Sequence, residues 1–364
     1  MPRPATIAAL RRQIDRIDDR VLALLNRRAR LAQSVGTAKA RTHATVFAPV
    51  REKGVLDRLV RMNQGPLSAA HVHAVFREVI SASRSLEQPL RVAYLGPRAT
   101  YTHLAATAQF GSSVDYVPAS TIAEVFHDVE NGRAQLGVVP VENSTEGGVS
   151  HTLDLLVDSP LSICAELSIP VRHCLLARSG TSLARVRRVV AHPQALPQCR
   201  GWLATHLAGI PLLEAPSNAA AAERAARERG TAAIAAEAAA GTYGLTVLAH
   251  GIQDDAANTT RFVVLGSSDS AKPSGDDKTS LVVSVRDEVG VLVKLLAPFA
   301  RHAIDLIKIE SRPLRERPWE YYFFLDLRGH RREPRVERAL AAVARRALRA
   351  KVLGSYPAAP GGTG

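Results

Sequence analysis

The hydrophobic period of this chain changes twice, and each change rules out one continuous fold. From residue 6 to 87 apolar residues recur only every three or four positions, which is helical spacing with no strand-like run. At Leu90 the pattern becomes short apolar runs alternating with helical segments; "LRVAYLG", "QLGVVPV", "VRRVVAH" and "TTRFVVLG" are the clearest predicted strands. That alternation argues an α/β region. A polar loop, "SSDSAKPSGDDK", precedes a third region read as β-α-β-β-α-β: "TSLVVSVRD", a helix near 290–301, "IDLIKIESR", "YYFFLDLRG", a helix near 333–348 and "KVLGSYP". The chain has 364 residues, enough for several cores. We therefore expect three domains: an all-helical one over 1–89, an α/β one over 90–270 and an α+β one over 277–358. The tail "AAPGGTG" reads as disordered.

Composition excludes several classes. The charged N-terminus has no apolar core of a secretory signal, and no run is long enough for a membrane span. Cys164, Cys174 and Cys199 are too few and scattered for a disulfide framework or a zinc site, which fits a reducing cytoplasm. The formal net charge is +13, from 47 basic and 34 acidic residues. The arginines are dispersed, without the aromatic-interleaved patch of a nucleic-acid binder, so this surplus is either plain surface arginine or an attraction for small polyanions. No metal and no cofactor is expected.

In the first predicted helix Leu10, Ile14, Ile17, Val21, Leu24, Leu31, Val35 and Ala38 form a seam, and Arg28 stands where the seam calls for an apolar residue. It either snorkels to water or meets an anionic partner. A helix from about Thr6 to Arg41 spans roughly 54 Å. The two short helices that follow cannot cover it, so a second protomer is expected to do so. Arg28 and Lys39 are about three turns apart and face the same way, whereas Arg11 lies about 25 Å from Arg28 and reaches that site only from a second chain.

The stretches "LRRQID", "LLNRRARLAQSVGTAK", "REKGVL" and "ISASRSLEQ" resemble the all-helical chorismate mutase domain, an intertwined dimer. The resemblance implies that Arg28 and the partner's Arg11 hold the carboxylates of chorismate. It also implies that Lys39 donates to the ether oxygen and Glu52 holds the hydroxyl, with Arg51 and Ser83 at further site positions. A Claisen rearrangement needs a compact conformer and positive charge where the ether oxygen gains electrons, not a nucleophile. Two positions depart from the family pattern: Ala48 replaces an aspartate, and Glu87 replaces a glutamine that donates to the ether oxygen. An ionised carboxylate has no proton to donate. Mutase activity is therefore expected to require protonated Glu87 and to rise as pH falls.

In the α/β region the strand "GVVPV" opens directly into "ENSTEGG". Asn143, Ser144 and Thr145 supply donors and two glycines permit close approach, so this stretch is either a carboxylate site or a capped helix start. Other polar strand ends are Thr100 and Thr102, His192 and Gln194, Ser217 and Asn218, and Asn258 to Arg261. They suggest two lobes around a cleft. His192, before a proline, reads as a turn residue.

"GVVPVENSTEGGVSHTLDLL", "HPQALPQCRGWL" and "DDAANTTRFVVLG" resemble prephenate dehydratase over about 90–266. The resemblance implies a two-lobed fold like type II periplasmic binding proteins, with prephenate in the cleft. Thr260 would carry the chemistry, and Arg261 and the Asn143–Thr145 loop would grip carboxylates. Thr100, Gln194, Ser217, Asn218 and Thr259 complete the expected substrate contacts. Glu142 is either a direct participant or structural. "GPRATY" replaces the usual glycine with Ala99, which costs strain if the position needs positive φ.

The third region, with "KIESRP" and "WEYYFFLDLRG", resembles a ferredoxin-like ACT regulatory domain. The resemblance implies a phenylalanine site from Gly290, Leu292, Glu310, Ser311 and Arg312. Val289 and Val291 replace a proline and an alanine there; Val291 narrows the pocket, so weaker feedback is expected, the alternative being an ACT fold retained only for dimerisation. The resulting expectation is a cytoplasmic bifunctional chorismate mutase/prephenate dehydratase, a homodimer or higher oligomer, acting on chorismate and prephenate and inhibited by L-phenylalanine. The alternatives are a dehydratase whose helical region only dimerises, a non-catalytic amino-acid sensor, and a nucleic-acid binder.

Overall fold

The computed structural model describes residues 6–42, 47–286, 288–313 and 321–359, with backbone alone for 40–42. The expected disordered tail from residue 360 on, Asp287, Trp319 and Glu320 lie outside the described residues. Contacts divide the chain into two units, Met1–Leu90 with Phe110–Asp115, and Arg91–Gln109 with Tyr116–Gly364.

The first unit is helical: α1 (Ile7–Thr42), α2 (Pro49–Met62) and α3 (Ala69–Glu87). Proline in the first turn of α2 is pre-set for helix, and Ser68 caps α3 by accepting from the His71 N–H at 3.2 Å while the His71 ring accepts from Ser68 N–H. The seam of α1 is exposed within the single chain, with Ile14 at 56%, Leu24 at 64% and Leu31 at 62%. At Gly36 a Cβ would sit 3.0 Å from the backbone of Glu87, so a larger residue would push α1 and the end of α3 apart by a few tenths of an ångström.

The second unit holds two lobes and a third layer. The first lobe contains β1 (Arg91–Leu95), α4 (Tyr101–Phe110), β2 (Asp115–Ala119), α5 (Ile122–Glu130), β3 (Leu136–Asn143), β4 (Gly147–Gly148), α6 (Ser150–Asp158) and β5 (Ser162–Pro170). The second contains β6 (Cys174–Arg178), β7 (Arg188–Ala191), α7 (Ala195–Gln198), α8 (Arg200–His206), β8 (Leu212–Glu214), α9 (Asn218–Arg227), β9 (Thr231–Ala235), α10 (Ala238–Tyr243) and β10 (Leu245–Ala249). Then β11 (Thr259–Gly266) returns to the first lobe and lies antiparallel between β3 and β5. The strand orders are β2-β1-β3-β11-β5, with β4 on β3, and β10-β6-β9-β7-β8.

The third layer is β12 (Asp277–Val285), α11 (Val291–Arg301), β13 (Leu306–Pro313), β14 (Tyr321–Arg328), α12 (Pro334–Ala344) and β15 (Arg349–Pro357), in sheet order β13-β14-β12-β15. This is the expected β-α-β-β-α-β arrangement. It shares an apolar core with the first lobe: Val282, Phe324, Leu353 and Tyr356 cluster with Val141, Leu153, Leu156, Ile163 and Val263. Ala99 has φ 64° and is buried, so the strain expected of an alanine at a glycine position is present. Among the described residues no helix is long and apolar enough to cross a membrane.

Candidate active sites

The helical unit encloses a cavity of about 440 Å³ lined by Arg28, Lys39, Arg51, Glu52, Ser83, Arg84 and Glu87 among others. Helical spacing brings them together. Arg28 and Lys39 share a face of α1, and Ser83 and Glu87 are four apart on α3. The Arg28 guanidinium donates to Ser83 Oγ and, at 3.3 Å, to the carbonyl of Val79, while Ser83 Oγ donates to that same carbonyl at 2.7 Å. Lys39 Nζ lies 3.2 Å from Glu87 Oε2. Arg28 therefore bonds a hydroxyl and a carbonyl of α3, and no anionic side chain among the described residues is paired with it. Burial lowers its pKa against the pull of Glu87.

Arg84 was not foreseen. It is buried, pairs with Glu52, and its guanidinium carbon sits 5.6 Å from the ring centroids of both Phe47 and Phe110. Burial pushes the Glu52 carboxyl up and Arg84 pulls it back. Arg84 Nη1 is buried without a hydrogen-bond partner among the described residues, so the cavity wall keeps a donor in reserve. Ala48 lines the same cavity. Arg11 does not line it. It lies exposed seventeen residues earlier on α1, about 25 Å along the axis.

In the second unit a cavity of about 570 Å³ is lined from the first lobe by Asn143, Glu146, Gly147, Gly148, Ser150 and Thr260, and from the second by His173, His192, Gln194, Gln198 and Asn218. Thr260 and Asn143 are cross-strand partners on β11 and β3, so both side chains share one face. Asn143 Oδ1 accepts from the N–H groups of Thr145 (3.0 Å) and Glu146 (3.2 Å), which turns its amide nitrogen toward Asn258 Oδ1 (2.8 Å) and Thr260 Oγ1 (2.9 Å). Thr260 Oγ1 accepts from Asn143 and lines the cavity, so its own proton is available to donate there.

A network continues across the cleft. Gln198 Oε1 accepts from Asn258 Nδ2 at 3.2 Å and lies 3.0 Å from His173 Nε2, whose Nδ1 is 3.2 Å from the Tyr101 hydroxyl. Burial lowers the His173 pKa and raises that of Tyr101, so both are held neutral. Gln194 and Gln198 both donate to the Glu146 carboxylate, Gln198 at 3.0 Å. His173, Gln198, Tyr101 and Glu146 were not anticipated as site residues, and Asn258 only as a polar strand end. The signal for Gln198 was present: it follows Gln194 by four residues, one helical turn.

Several expected contacts are not brought to this cavity. Thr100 Oγ1 donates to the carbonyls of Leu95 (3.0 Å) and Pro97 (3.1 Å) and accepts from His103 N–H, so it caps α4. Ser217 caps α9 by accepting from Ala220 N–H at 3.0 Å. Ser144 and Thr259 are stitched to each other, with Thr259 N–H donating to Ser144 Oγ at 3.0 Å. Thr145 is exposed on the loop. Asn218 lines the cavity and its Oδ1 accepts from His192 N–H at 2.9 Å. Arg261 departs furthest from expectation: its Nε is 3.0 Å from Glu142, and its Nη1 is 3.1 Å from Glu166 and 2.9 Å from Asp326. Strand alternation turns it away from the Thr260 face, so carboxylate binding by Arg261 is corrected. No arginine or lysine is among the described residues named as lining this cavity.

In the third layer Gly290 adopts the left-handed conformation that caps α11, and Leu292 and Ser311 are exposed. Glu310 and Arg312 face the first lobe, where Arg312 Nε lies 3.1 Å from Asp154. Among the described residues, Cys174, Glu237 and His250 bring ligand-type atoms within 4.8 Å of one another. Burial raises the Cys174 pKa.

Family models describe three parts of the chain: chorismate mutase type II over residues 10–88, prephenate dehydratase over 92–270 and an ACT domain over 279–345. The chain is 46% identical over 355 residues to the bifunctional chorismate mutase/prephenate dehydratase of Aquifex aeolicus, covering 96% of this chain and 97% of that one. Its fold is similar to the crystal structure of prephenate dehydratase from Arthrobacter aurescens in complex with L-Phe, at 33% identity and TM-score 0.68, covering 74% of this chain and 90% of that one. It is equally similar in fold to GqqA, described as a novel type of quorum quenching acylases, at 31% identity and TM-score 0.68, covering 74% and 98%.

Proposed function

The chain belongs to the bifunctional chorismate mutase/prephenate dehydratase family, and we propose that its two cavities divide the two activities between them. The enzyme rearranges chorismate to prephenate and then removes carbon dioxide and hydroxide from prephenate to give phenylpyruvate. The observation that carries the division is the contrast between a cation-lined cavity in the helical unit and a cavity beside Thr260 lined by amides, hydroxyls and the Glu146 carboxylate, with no arginine or lysine among its described lining residues.

In the helical cavity Arg28 takes one substrate carboxylate, steadied by Ser83, and Lys39 stabilises the charge gathering on the ether oxygen. Glu87 adds a donor there only when protonated. Arg51 borders the carboxylate side, Glu52 takes the hydroxyl with Arg84 behind it, and Arg11 of a second copy supplies the remaining cation. The exposed seam of α1 supports a homodimer.

In the dehydratase cavity the Thr260 proton, oriented by Asn143, assists departure of the ring hydroxyl as the C–O bond breaks. The electron pair of the C–CO₂ bond moves into the ring as it becomes aromatic. The free N–H groups opening α6, together with Gln194 and Asn218, receive carboxylate oxygens. The ACT domain is proposed to bind L-phenylalanine through Gly290, Leu292, Glu310, Ser311 and Arg312, a reading supported by the L-Phe complex of the Arthrobacter prephenate dehydratase. The three cysteines are free and buried, which supports a cytoplasmic location.

Supplying the protein with chorismate tests this reading, and phenylpyruvate is the expected product. Turnover of prephenate but not chorismate would reduce the helical unit to a dimeriser. Binding without turnover of either would leave a sensor.

A further inference from the structure

We infer that Arg261 is a positioning residue for the dehydratase reaction, fastening the strand pair that carries Thr260 and Asn143 to the ACT sheet, which thereby forms the back wall of the dehydratase site. The inference rests on the assignment of dehydration to the Thr260 cavity.

The register sets up the arrangement. On β11 and β3, Thr260 opposes Asn143 and Arg261 opposes Glu142. Alternation sends the first pair to the cavity and the second to the opposite face. The register shifts immediately after Arg261, a bulge that fixes which side chains face which way. Behind the strands, Arg261 reaches Glu166 on β5 and Asp326 on β14 as well as Glu142. Lys278 on β12 lies 2.7 Å from Glu166, and Lys308 on β13 lies 3.0 Å from Glu142 and 2.9 Å from Glu310. Three cations thus meet four carboxylates, contributed by both the dehydratase strands and the ACT strands.

A second set of contacts holds the cavity rim. Arg312 on β13 bonds Asp154 and Ser150 in the first turns of α6, while Lys351 on β15 donates to the carbonyls of Leu156 (2.8 Å) and Val157 (3.1 Å) at its other end. Basic groups near the last carbonyls of a helix are favourably placed. The Glu310 carboxylate lies against Gly148, where any Cβ would collide with it. The ACT sheet therefore grips β3, β11 and both ends of α6, the elements that present Asn143, Thr260 and the α6 N-terminus.

The test uses the full-length protein with Arg261→Met, Arg261→Lys and Lys308→Met. Dehydratase kcat and KM are measured beside mutase turnover on the same preparations, with thermal transitions above the assay temperature certifying native protein. Arg261→Met should lower dehydratase kcat by about 100-fold, the scale of a misplaced catalytic group, with KM changed less than about threefold. Arg261→Lys should recover part of kcat, and Lys308→Met, at the edge of the cluster, should lower kcat by roughly tenfold. Mutase turnover should not change. A tenfold rise in KM with kcat retained would make Arg261 a substrate ligand and overturn the inference, as would full kcat in both Arg261→Met and Lys308→Met. If Arg261→Met does not fold, Lys308→Met decides alone. Retained dehydratase activity in Thr260→Val would instead remove the site assignment, leaving the two failures distinguishable.

Discussion

The two cavities, proposed to take related dicarboxylates, differ in their cations. The helical cavity presents Arg28, Lys39, Arg51 and Arg84, whereas no arginine or lysine is among the described residues lining the Thr260 cavity. The reactions explain the contrast. The rearrangement keeps both carboxylates and moves charge onto an ether oxygen, so fixed cations serve both conformer and transition state. Dehydration destroys one carboxylate as carbon dioxide. A cation on that group would stabilise the ground state more than the transition state and slow the reaction. On the proposed assignment, the amides and the α6 N-terminus of the Thr260 cavity take the substrate's carboxylates without that penalty, and Glu146 is held by Gln194 and Gln198.

The largest effect that probes this contrast is at Arg28. Arg28→Met should lower mutase kcat/KM by about 10²–10³, the scale of losing one preorganised charge contact, and leave prephenate turnover unchanged. Salt gives a subtler comparison on the wild-type protein. Raising ionic strength to about 1 M shortens the screening length to roughly 3 Å, so KM for chorismate should rise several-fold while KM for prephenate moves little. Equal salt sensitivity would erase the distinction.

A substitution at Glu87 sharpens it further. An ionised carboxylate has no proton to donate, so Glu87→Gln, which offers an amide N–H beside Lys39, should raise mutase kcat/KM several-fold at neutral pH and leave prephenate turnover unchanged. No change in mutase kcat/KM would remove the idea. The smallest effect is structural: Ala99→Gly relieves a left-handed alanine and should stabilise its unit by about 1 kcal/mol in chemical denaturation, with little change in kcat.

In the helical cavity a 3.6-residue period converts spacing into direction: it puts Arg28 and Lys39 on one face of the first helix and Glu87 on the apolar face of the third. That Arg28, Lys39, Ser83 and Glu87 share one site came from the resemblance to chorismate mutase. Arg84 escaped because its environment is built by Phe47 and Phe110, which no local pattern links to it. The α/β cavity was legible only in part. Strand ends located Asn143, Gln194, Asn218 and Thr260 correctly along the chain. Small polar residues at such ends also cap helices and stitch loops, and Thr100, Ser144, Ser217 and Thr259 are spent that way. Arg261 illustrates a different failure. The period of two already separates it from Thr260, yet what lies behind the strand comes from a domain distant in sequence.

Chorismate supplied to Thr260→Val tests the division of labour most directly. Prephenate should accumulate at the wild-type rate with phenylpyruvate formation lowered by at least about 100-fold. Phenylpyruvate formed at the wild-type rate, or prephenate production lost along with it in folded protein, would contradict two separate sites.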